Sequence, residues 1–315
     1  MASATSATVA MMMASKVCDE FKVGAHISKK PSLTGTILSL SDYTRPYQIF
    51  LGNPQSTRLS ITDADLNNAA KVVARTGAQI YIHSQYIINL AQPTMSGGSL
   101  SDPLEKSSPD GFSGEGAGAG AGAGGGESEA VVASSPAWHT TLLIKNLQYG
   151  ARFGAKGVVV HVGKSVKMPL SVALENMRAN LLLAIPHATE QCPILLETPA
   201  GQGTEMLTDV EEFIDFVASF GDVRLRACID TCHIFVCGYD PMEYIERFMG
   251  VGAGAGVGTD YRRDLLKLIH FNDSAAVAGS RKDRHAFVGT GHIGLSGMSR
   301  IAECCSGWGL PMVIE

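Results

Sequence analysis

The chain has 315 residues, of which 45% are hydrophobic, and this is enough apolar material for the core of one large domain. Its seven cysteines are odd in number and do not follow disulfide-like spacings, so we expect an intracellular location, in the nucleus or cytoplasm. No apolar run is long enough to span a membrane. The formal net charge of −5 argues weakly against a protein that binds nucleic acid through a basic surface.

Residues 1–20 are expected to precede the globular domain as a disordered tail or a short leader. The stretch from Met1 to Ser15 is rich in Ala, Ser, Thr and Met and contains no acidic residue. A leader would direct the chain to an organelle, but the stretch is short and lacks arginine, which favours the tail.

Two low-complexity segments interrupt the globular pattern, at about residues 95–136 and 250–258. The longer contains the Gly-Ala run from Gly114 to Gly126. Such segments offer no side chains to bury, so both are predicted to be flexible insertions within a single domain that covers residues 21–315.

Eight short apolar runs predict buried strands, and most of them end in a polar or charged residue. They are Val23–Ser28, Tyr47–Leu51, Gln79–His83, Gly157–His161, Pro193–Glu197, Leu225–Asp230, Leu268–Asn272 and Pro311–Glu315. Helical stretches lie between most of them, with Thr62 and Thr208 as candidate N-caps. The alternation predicts an α/β fold, a (β/α)₈ TIM barrel with its functional site at the carboxyl ends of the strands.

The chain stops at Glu315, without residues for an eighth helix. Either it is truncated or another element covers the last strand.

Imidazole and carboxylate groups accumulate where the predicted strands end. These candidate ligands are His83, His161, Glu197, Asp230, His233, His270, Asp283, His285 and Glu315. Together they form the ligand set of zinc or a similar divalent ion. Unpaired carboxylates would be costly to bury at one barrel mouth, so a metal site explains them better than structural roles.

Several motifs resemble those of the endonuclease IV family, and the resemblance covers nearly all of the chain outside the first residues and the two insertions. The matching segments are AHIS at 25–28, IHSQYIINLAQP at 82–93, LETPAGQG at 196–203, CIDTCHIFVCGYD at 228–240, HFNDSAAVAGSRKDRHAFVGTGHIG at 270–294 and PMVIE at 311–315. The resemblance implies a DNA repair enzyme, a monomer whose partner is double-stranded DNA with abasic sites. Such an enzyme cuts the phosphodiester 5′ of the abasic deoxyribose, leaves a 3′ hydroxyl and removes blocked 3′ ends.

The resemblance also implies a site for three Zn²⁺ ions, with Mn²⁺ possible in part. His83, His161 and Glu197 would hold the first ion. Glu197 would bridge to a second, completed by Asp230, His270 and Glu315, and it is therefore the predicted catalytic residue. The third would be held by His233, Asp283 and His285. Such ions make hydroxide available near neutral pH and neutralise developing charge, which also offsets the acidic balance of the chain.

The DNA-facing positions match the family less well. Tyr86 corresponds to a tyrosine at the DNA interface. The segment GNPQS at 52–56 has Gln55 where the family commonly has an arginine that probes the minor groove, and Arg58 is a candidate substitute. His26 lies in a matched motif and is expected to have a supporting rather than a catalytic role.

Two other functions stay open. A sugar isomerase or epimerase on a related barrel would use one or two ions and would not need Asp283 and His285 as a third-metal pair. A lesion-binding protein that has lost catalysis would be a non-enzyme, although all nine candidate ligands are present.

Overall fold

A computed structural model describes residues 6–94, 136–251 and 261–315. Apart from their edges, the two segments predicted to be flexible lie outside the described residues. In chain order, the strands are β1 (Gly24–His26), β2 (Pro46–Phe50), β3 (Gln79–His83), β4 (Val158–His161), β5 (Ile194–Glu197), β6 (Leu225–Asp230), β7 (Leu266–His270), β8 (Asp273–Ser274), β9 (His285–Ala286) and β10 (Met312–Ile314). The helices are α1 (Ser6–Glu20), α2 (Leu33–Leu38), α3 (Asp63–Thr76), α4 (Trp138–Phe153), α5 (Leu170–Ala184), α6 (Val210–Ala218), α7 (Thr231–Val236), α8 (Pro241–Phe248), α9 (Tyr261–Leu265) and α10 (Gly294–Gly307), with a 3₁₀ turn at Ile185–His187.

Eight of the strands form a closed parallel barrel in the order β1-β2-β3-β4-β5-β6-β7-β10. The predicted barrel is confirmed, and the strand boundaries differ from the prediction by at most two residues. Parallel register places His161 beside Glu197 and Asp230 beside His270. Consequently, side chains that are far apart in sequence meet at the carboxyl ends of the strands.

Helix α1 corrects the prediction for the first residues of the chain. The segment predicted as a disordered tail is helical from Ser6, and the helix contacts α10. Ala14 on α1 is buried, and Met11 and Cys18 line a common pocket with Ile314 of β10. Helix α1 therefore lies beside the last strand, β10.

Of the two helix N-caps predicted from the sequence, the structure confirms one and contradicts the other. Thr62 caps α3 as predicted, and its hydroxyl accepts from the backbone N–H of Asp65. The predicted cap Thr208 is wrong: Asp209 caps α6 and accepts from the N–H groups of Glu211 and Glu212. A carboxylate accepts two donors and is favoured by the positive end of the helix dipole, which explains the choice.

The residues that flank the longer insertion lie side by side. The backbone N–H of Ala137 donates to the carbonyl oxygen of Thr94 at 2.8 Å. Both follow β3 and precede α4, so the described residues next to the insertion lie on the face of the barrel that carries the strand-end histidines. The shorter segment is bounded by Val251, after α8, and by Tyr261, at the start of α9. No helix within the described ranges is long and apolar enough to cross a bilayer.

Asp273 organises the loop that follows the short antiparallel pair β8–β9. Its buried carboxylate accepts hydrogen bonds from the backbone N–H groups of Ser274, Gly289, Gly291, Ile293 and Gly294. A Cβ on Gly291 would lie 2.5 Å from a carboxylate oxygen of Asp273, so the loop approaches as closely as glycine allows. The same pair carries His285, opposite Ser274.

Replacing Asp273 is expected to destabilise the fold. Asp273→Ala leaves five backbone N–H groups, one buried and four partly buried, without their acceptor, and we expect the free energy of unfolding to fall by about 3 kcal/mol or more. Chemical denaturation measures this loss. Asp215→Ala removes the same charge from an exposed position on α6 and should change stability by less than about 0.5 kcal/mol. Equal stability of the two variants would contradict the role given to Asp273.

Candidate metal centre

The nine predicted ligands converge at the mouth of the barrel. Three sets of His, Asp and Glu residues each place one potential ligand atom per residue within 4.8 Å of the others. These sets are His83, His161 and Glu197; Glu197, Asp230, His270 and Glu315; and Asp230, His233 and His285. Asp283 contacts the last set, so all nine residues belong to one cluster.

Glu197, at the end of β5, lies between the first two sets. Its Oε2 is 3.3 Å from Nε2 of His83 and 3.5 Å from Nε2 of His161. Its Oε1 is 2.8 Å from Nδ1 of His270. The two oxygens of one buried carboxylate thus face different groups of imidazoles, which is the arrangement that a bridging ligand requires.

The second set surrounds His270, at the end of β7. Besides Glu197, its Nδ1 approaches Oε2 of Glu315 at 3.2 Å and Oδ2 of Asp230 at 3.8 Å. Three carboxylates around one imidazole nitrogen form a compact, anionic pocket suited to a divalent cation.

The third set joins β6 and α7 to the loop before β9. Asp283 lies 3.4 Å from Nε2 of His233 and 3.2 Å from Nε2 of His285. Asp230 is also near, because its Oδ2 lies 3.7 Å from Nε2 of His285. The motif assignment placed Asp230 in the second set alone, whereas the geometry puts it between the second set and the third.

Hydrogen bonds to backbone carbonyls orient two of the histidine rings. Nδ1 of His83 lies 2.7 Å from the carbonyl oxygen of Ser84, and Nδ1 of His233 lies 2.8 Å from that of Thr198. A carbonyl only accepts, so each Nδ1 carries the proton and donates. This leaves Nε2 of both rings unprotonated in the neutral imidazole and directed towards the carboxylates, as a metal ligand must be.

Gln48 is a functional residue that the sequence analysis missed. It is fully buried within β2, its side-chain N–H donates to Glu315 at 2.6 Å, and its oxygen accepts from Nε2 of His270 at 2.9 Å. One amide therefore fixes two candidate ligands and directs Nδ1 of His270 into the cluster. The available signal was a polar side chain inside an otherwise apolar strand. His26 is near the same carboxylate, with Nδ1 at 3.5 Å from Glu315.

The donor atoms of the cluster fit bound cations. Among the buried side-chain atoms that make no hydrogen bond within the described part of the chain, five belong to the cluster: Nε2 of His83, His161, His233 and His285, and Oε2 of Glu197. All five point into the cluster. Buried polar atoms are nearly always satisfied, so a set of unsatisfied atoms of ligand type indicates partners other than protein.

The protonation states of the cluster agree with this. Burial raises the pKa of Glu197, but the imidazoles of His161 and His270 outweigh burial and hold the pKa well below its ordinary value. The pKa of Asp283 is also held well below its ordinary value, against the effect of burial, by the neighbouring imidazoles of His233 and His285. Burial lowers the pKa of His233, yet Asp230 and Asp283 raise it well above its usual range. Glu197 and Asp283 are therefore held in the ionised form, and His233 is favoured in its protonated form.

The two predicted DNA-contact residues occupy different positions. Tyr86 is half-exposed, lines a cavity of about 530 Å³ above the cluster, and its ring centroid is 5.3 Å from that of His83. Gln55 is exposed on the neighbouring loop and does not line this cavity. The two loops are joined by a hydrogen bond from the backbone N–H of Tyr86 to the carbonyl oxygen of Pro54.

Comparison with known proteins gives a consistent result. Residues 133–303, just over half of the chain, match a family model described as a xylose isomerase-like TIM barrel, AP_endonuc_2. A protein named probable endonuclease 4 from Mesomycoplasma hyopneumoniae is 30% identical over 300 residues, covering 93% of this chain and 92% of the relative. Endonuclease IV from Thermus thermophilus superposes with a TM-score of 0.65 at 23% identity, covering 93% of this chain and 91% of that structure. A D-tagatose 3-epimerase-like protein shares the fold with a TM-score of 0.57 at 15% identity, covering 93% and 89%.

The fold and cluster define a TIM-barrel protein of the AP endonuclease 2 class. Within that class, the chain belongs to the endonuclease IV family, as its motifs predicted. Two of the named relatives are themselves described as endonucleases.

Gln48 offers a direct test of metal binding at the cluster. Gln48→Met removes the amide that orients His270 and Glu315 while keeping a buried side chain of similar length. We expect zinc affinity, measured by competition with a chromophoric chelator, to fall roughly 10- to 100-fold. Gln148→Met changes an exposed glutamine on α4 and should leave the affinity unaltered. Equal affinity of the two variants would show that Gln48 does not support a metal site.

Proposed function

We propose that this chain is a zinc-dependent endonuclease that hydrolyses the phosphodiester 5′ of abasic sites in double-stranded DNA. The product is a 3′ hydroxyl, and blocked 3′ ends are removed by the same chemistry. The observation that carries the proposal is the convergence of nine His, Asp and Glu side chains, five of whose buried ligand atoms have no hydrogen-bond partner among the described residues. Family membership supplies the substrate class.

The residues divide into three ion sites. His83, His161 and Glu197 would hold one ion, and Glu197, Asp230, His270 and Glu315 a second. His233, Asp283 and His285 would hold the third, with Asp230 within reach. Bound zinc would supply Lewis-acid chemistry, activating water near neutral pH and neutralising charge on a phosphate. Glu197 holds its two sets together, and its depressed pKa keeps it ionised for that role.

Side chains around the cavity have the chemistry to position a DNA strand. Lys164 and Arg284 line it and offer cationic groups for phosphate oxygens, and Gln202 offers an amide. Asn89 holds Lys164 in place, because its side chain accepts from the backbone N–H of Lys164 and donates to the carbonyl oxygen. Tyr86 presents an aromatic face on the same wall.

The third set of ligands favours this activity over that of a sugar epimerase. The likeness to an epimerase-like protein is a likeness of fold. A two-ion epimerase has no use for Asp283, whose oxygens face His233 and His285 beyond the second set. The unpartnered buried ligand atoms likewise favour a working enzyme over a protein that only binds lesions.

Cleavage of abasic DNA tests the proposal directly. The zinc-loaded protein should nick a duplex with one synthetic abasic site on its 5′ side, and the 3′ hydroxyl product should support extension by a polymerase. Glu197→Gln should reduce turnover at least about a thousandfold, since the amide cannot bind two ions as a bridging carboxylate does.

The control is Glu175→Gln, which makes the same change at an exposed position on α5 and should keep full activity. If the wild-type protein isomerises a ketose and does not nick DNA, the epimerase function is supported and the endonuclease is rejected. If it binds abasic duplex without nicking it, the protein is a lesion-binding protein that is not an enzyme.

The position of Gln55 predicts that a positive charge there would strengthen DNA binding. If its loop probes the minor groove, Gln55→Arg adds a cation in a region of negative potential. We expect tighter binding to abasic duplex at low salt, a gain that shrinks as salt rises, and little change in turnover at saturating DNA. Affinity measured at two salt concentrations tests this.

Gln148→Arg, with the same charge on the outer layer of the barrel, should give no such gain. If Gln55→Arg binds no tighter than the wild type at low salt, the loop does not approach the groove, or Arg58 already fills that place.

A further inference from the structure

A second, more apolar pocket opens beside the metal centre. It has a volume of about 420 Å³ and lies between α1 and the segment 285–288. Its apolar walls are Met11, Ala14, Cys18, Phe287, Val288 and Ile314. His285 and Glu315, two candidate ligands, line both this pocket and the cavity above the cluster. The two spaces are therefore neighbours that share a wall.

Phe287 is the most exposed large hydrophobic side chain among the residues that the structure describes, with 75% of its surface accessible. It lies two positions after His285, on the rim of the pocket. Met11 faces the same pocket and is 49% exposed. Clustered exposed apolar groups at the edge of a functional site mark a surface that contacts a ligand.

The backbone that carries Phe287 is held in place. Its carbonyl oxygen accepts from both the backbone N–H and the hydroxyl of Thr290, at 2.9 and 2.7 Å. The following glycines, Gly289 and Gly291, are tied to the buried carboxylate of Asp273. A ring on such a segment loses little conformational freedom on binding, so its contact surface is pre-organised.

The shared wall indicates the chemistry of the occupant. A ligand that places a phosphate at the metal centre and a flat apolar body against Phe287 is a nucleotide within a strand. Resting on the proposed function, we propose that Phe287 stacks on an unpaired nucleobase of the bound DNA, one that is opposite or next to the abasic nucleotide. The bases around an abasic site lack one stacking partner. Little energy is therefore needed to bring one of these bases onto the ring of Phe287.

Three substitutions at this position separate stacking from other effects. Phe287→Ala should weaken binding of abasic duplex roughly 10- to 100-fold, the range found for removal of a base-stacking aromatic side chain. Phe287→Trp should restore affinity, and Phe287→Leu should not, because leucine is apolar but has no π face. The affinity of each variant should fall with rising salt concentration as steeply as that of the wild type, since no phosphate contact is changed. Leu182→Ala, at a 53% exposed position on α5, is the matched control and should bind as the wild type.

The fluorescent base 2-aminopurine reports the contact itself. Placed in turn opposite the abasic site and on either side of it, the probe should be quenched at one position by the wild type and by Phe287→Trp, but not by Phe287→Ala. Wild-type affinity of Phe287→Ala or full affinity of Phe287→Leu would each overturn the proposal. In both cases nicking by the wild type still supports the endonuclease. Failure of the wild type to bind abasic duplex would overturn both proposals.

Discussion

Glu197 and Asp230 are fully buried carboxylates that end neighbouring barrel strands, and Glu315 and Asp283 lie beside them. Bringing these four negative groups together, three of them largely shielded from water, is unfavourable unless positive charge accompanies them. Protonated imidazoles supply part of that charge, as the raised pKa of His233 shows. Divalent ions would supply more and would release those protons, because a bound ion needs a neutral imidazole nitrogen. The architecture of the barrel mouth follows from this requirement for positive charge.

The surrounding polar residues serve the same requirement. Asn272 donates to Asp230 at 2.6 Å and accepts from the backbone N–H of Glu315 at 2.9 Å, which links two strands through their ligands. Gln48 links His270 to Glu315 on the other side. Asp273 holds the loop that follows β9, next to His285. These contacts hold the ligand atoms in position before any ion binds. The negative charge of the site and the geometry of its ligands are therefore set in advance.

Much of this arrangement could be predicted from the sequence, for a physical reason. Buried parallel strands are short apolar runs, and a barrel places their carboxyl ends together, so His83, His161, Glu197 and Asp230 were predicted to meet. Features that depend on tertiary contacts were not predictable in this way. Helix α1 packs against α10, a contact that the sequence alone does not reveal. Gln48 is not a metal-ligand type, and the role of Asp273 emerges only when the five backbone donors around it are seen in space.

Zinc-edge anomalous diffraction from crystals of the zinc-loaded protein tests the trinuclear centre most directly. Three peaks are expected: one among His83, His161 and Glu197, one among Glu197, Asp230, His270 and Glu315, and one among His233, Asp283 and His285. The ions should contact Nε2 of His83 and His233 and Nδ1 of His270. A single peak, or peaks away from these side chains, would contradict the trinuclear centre.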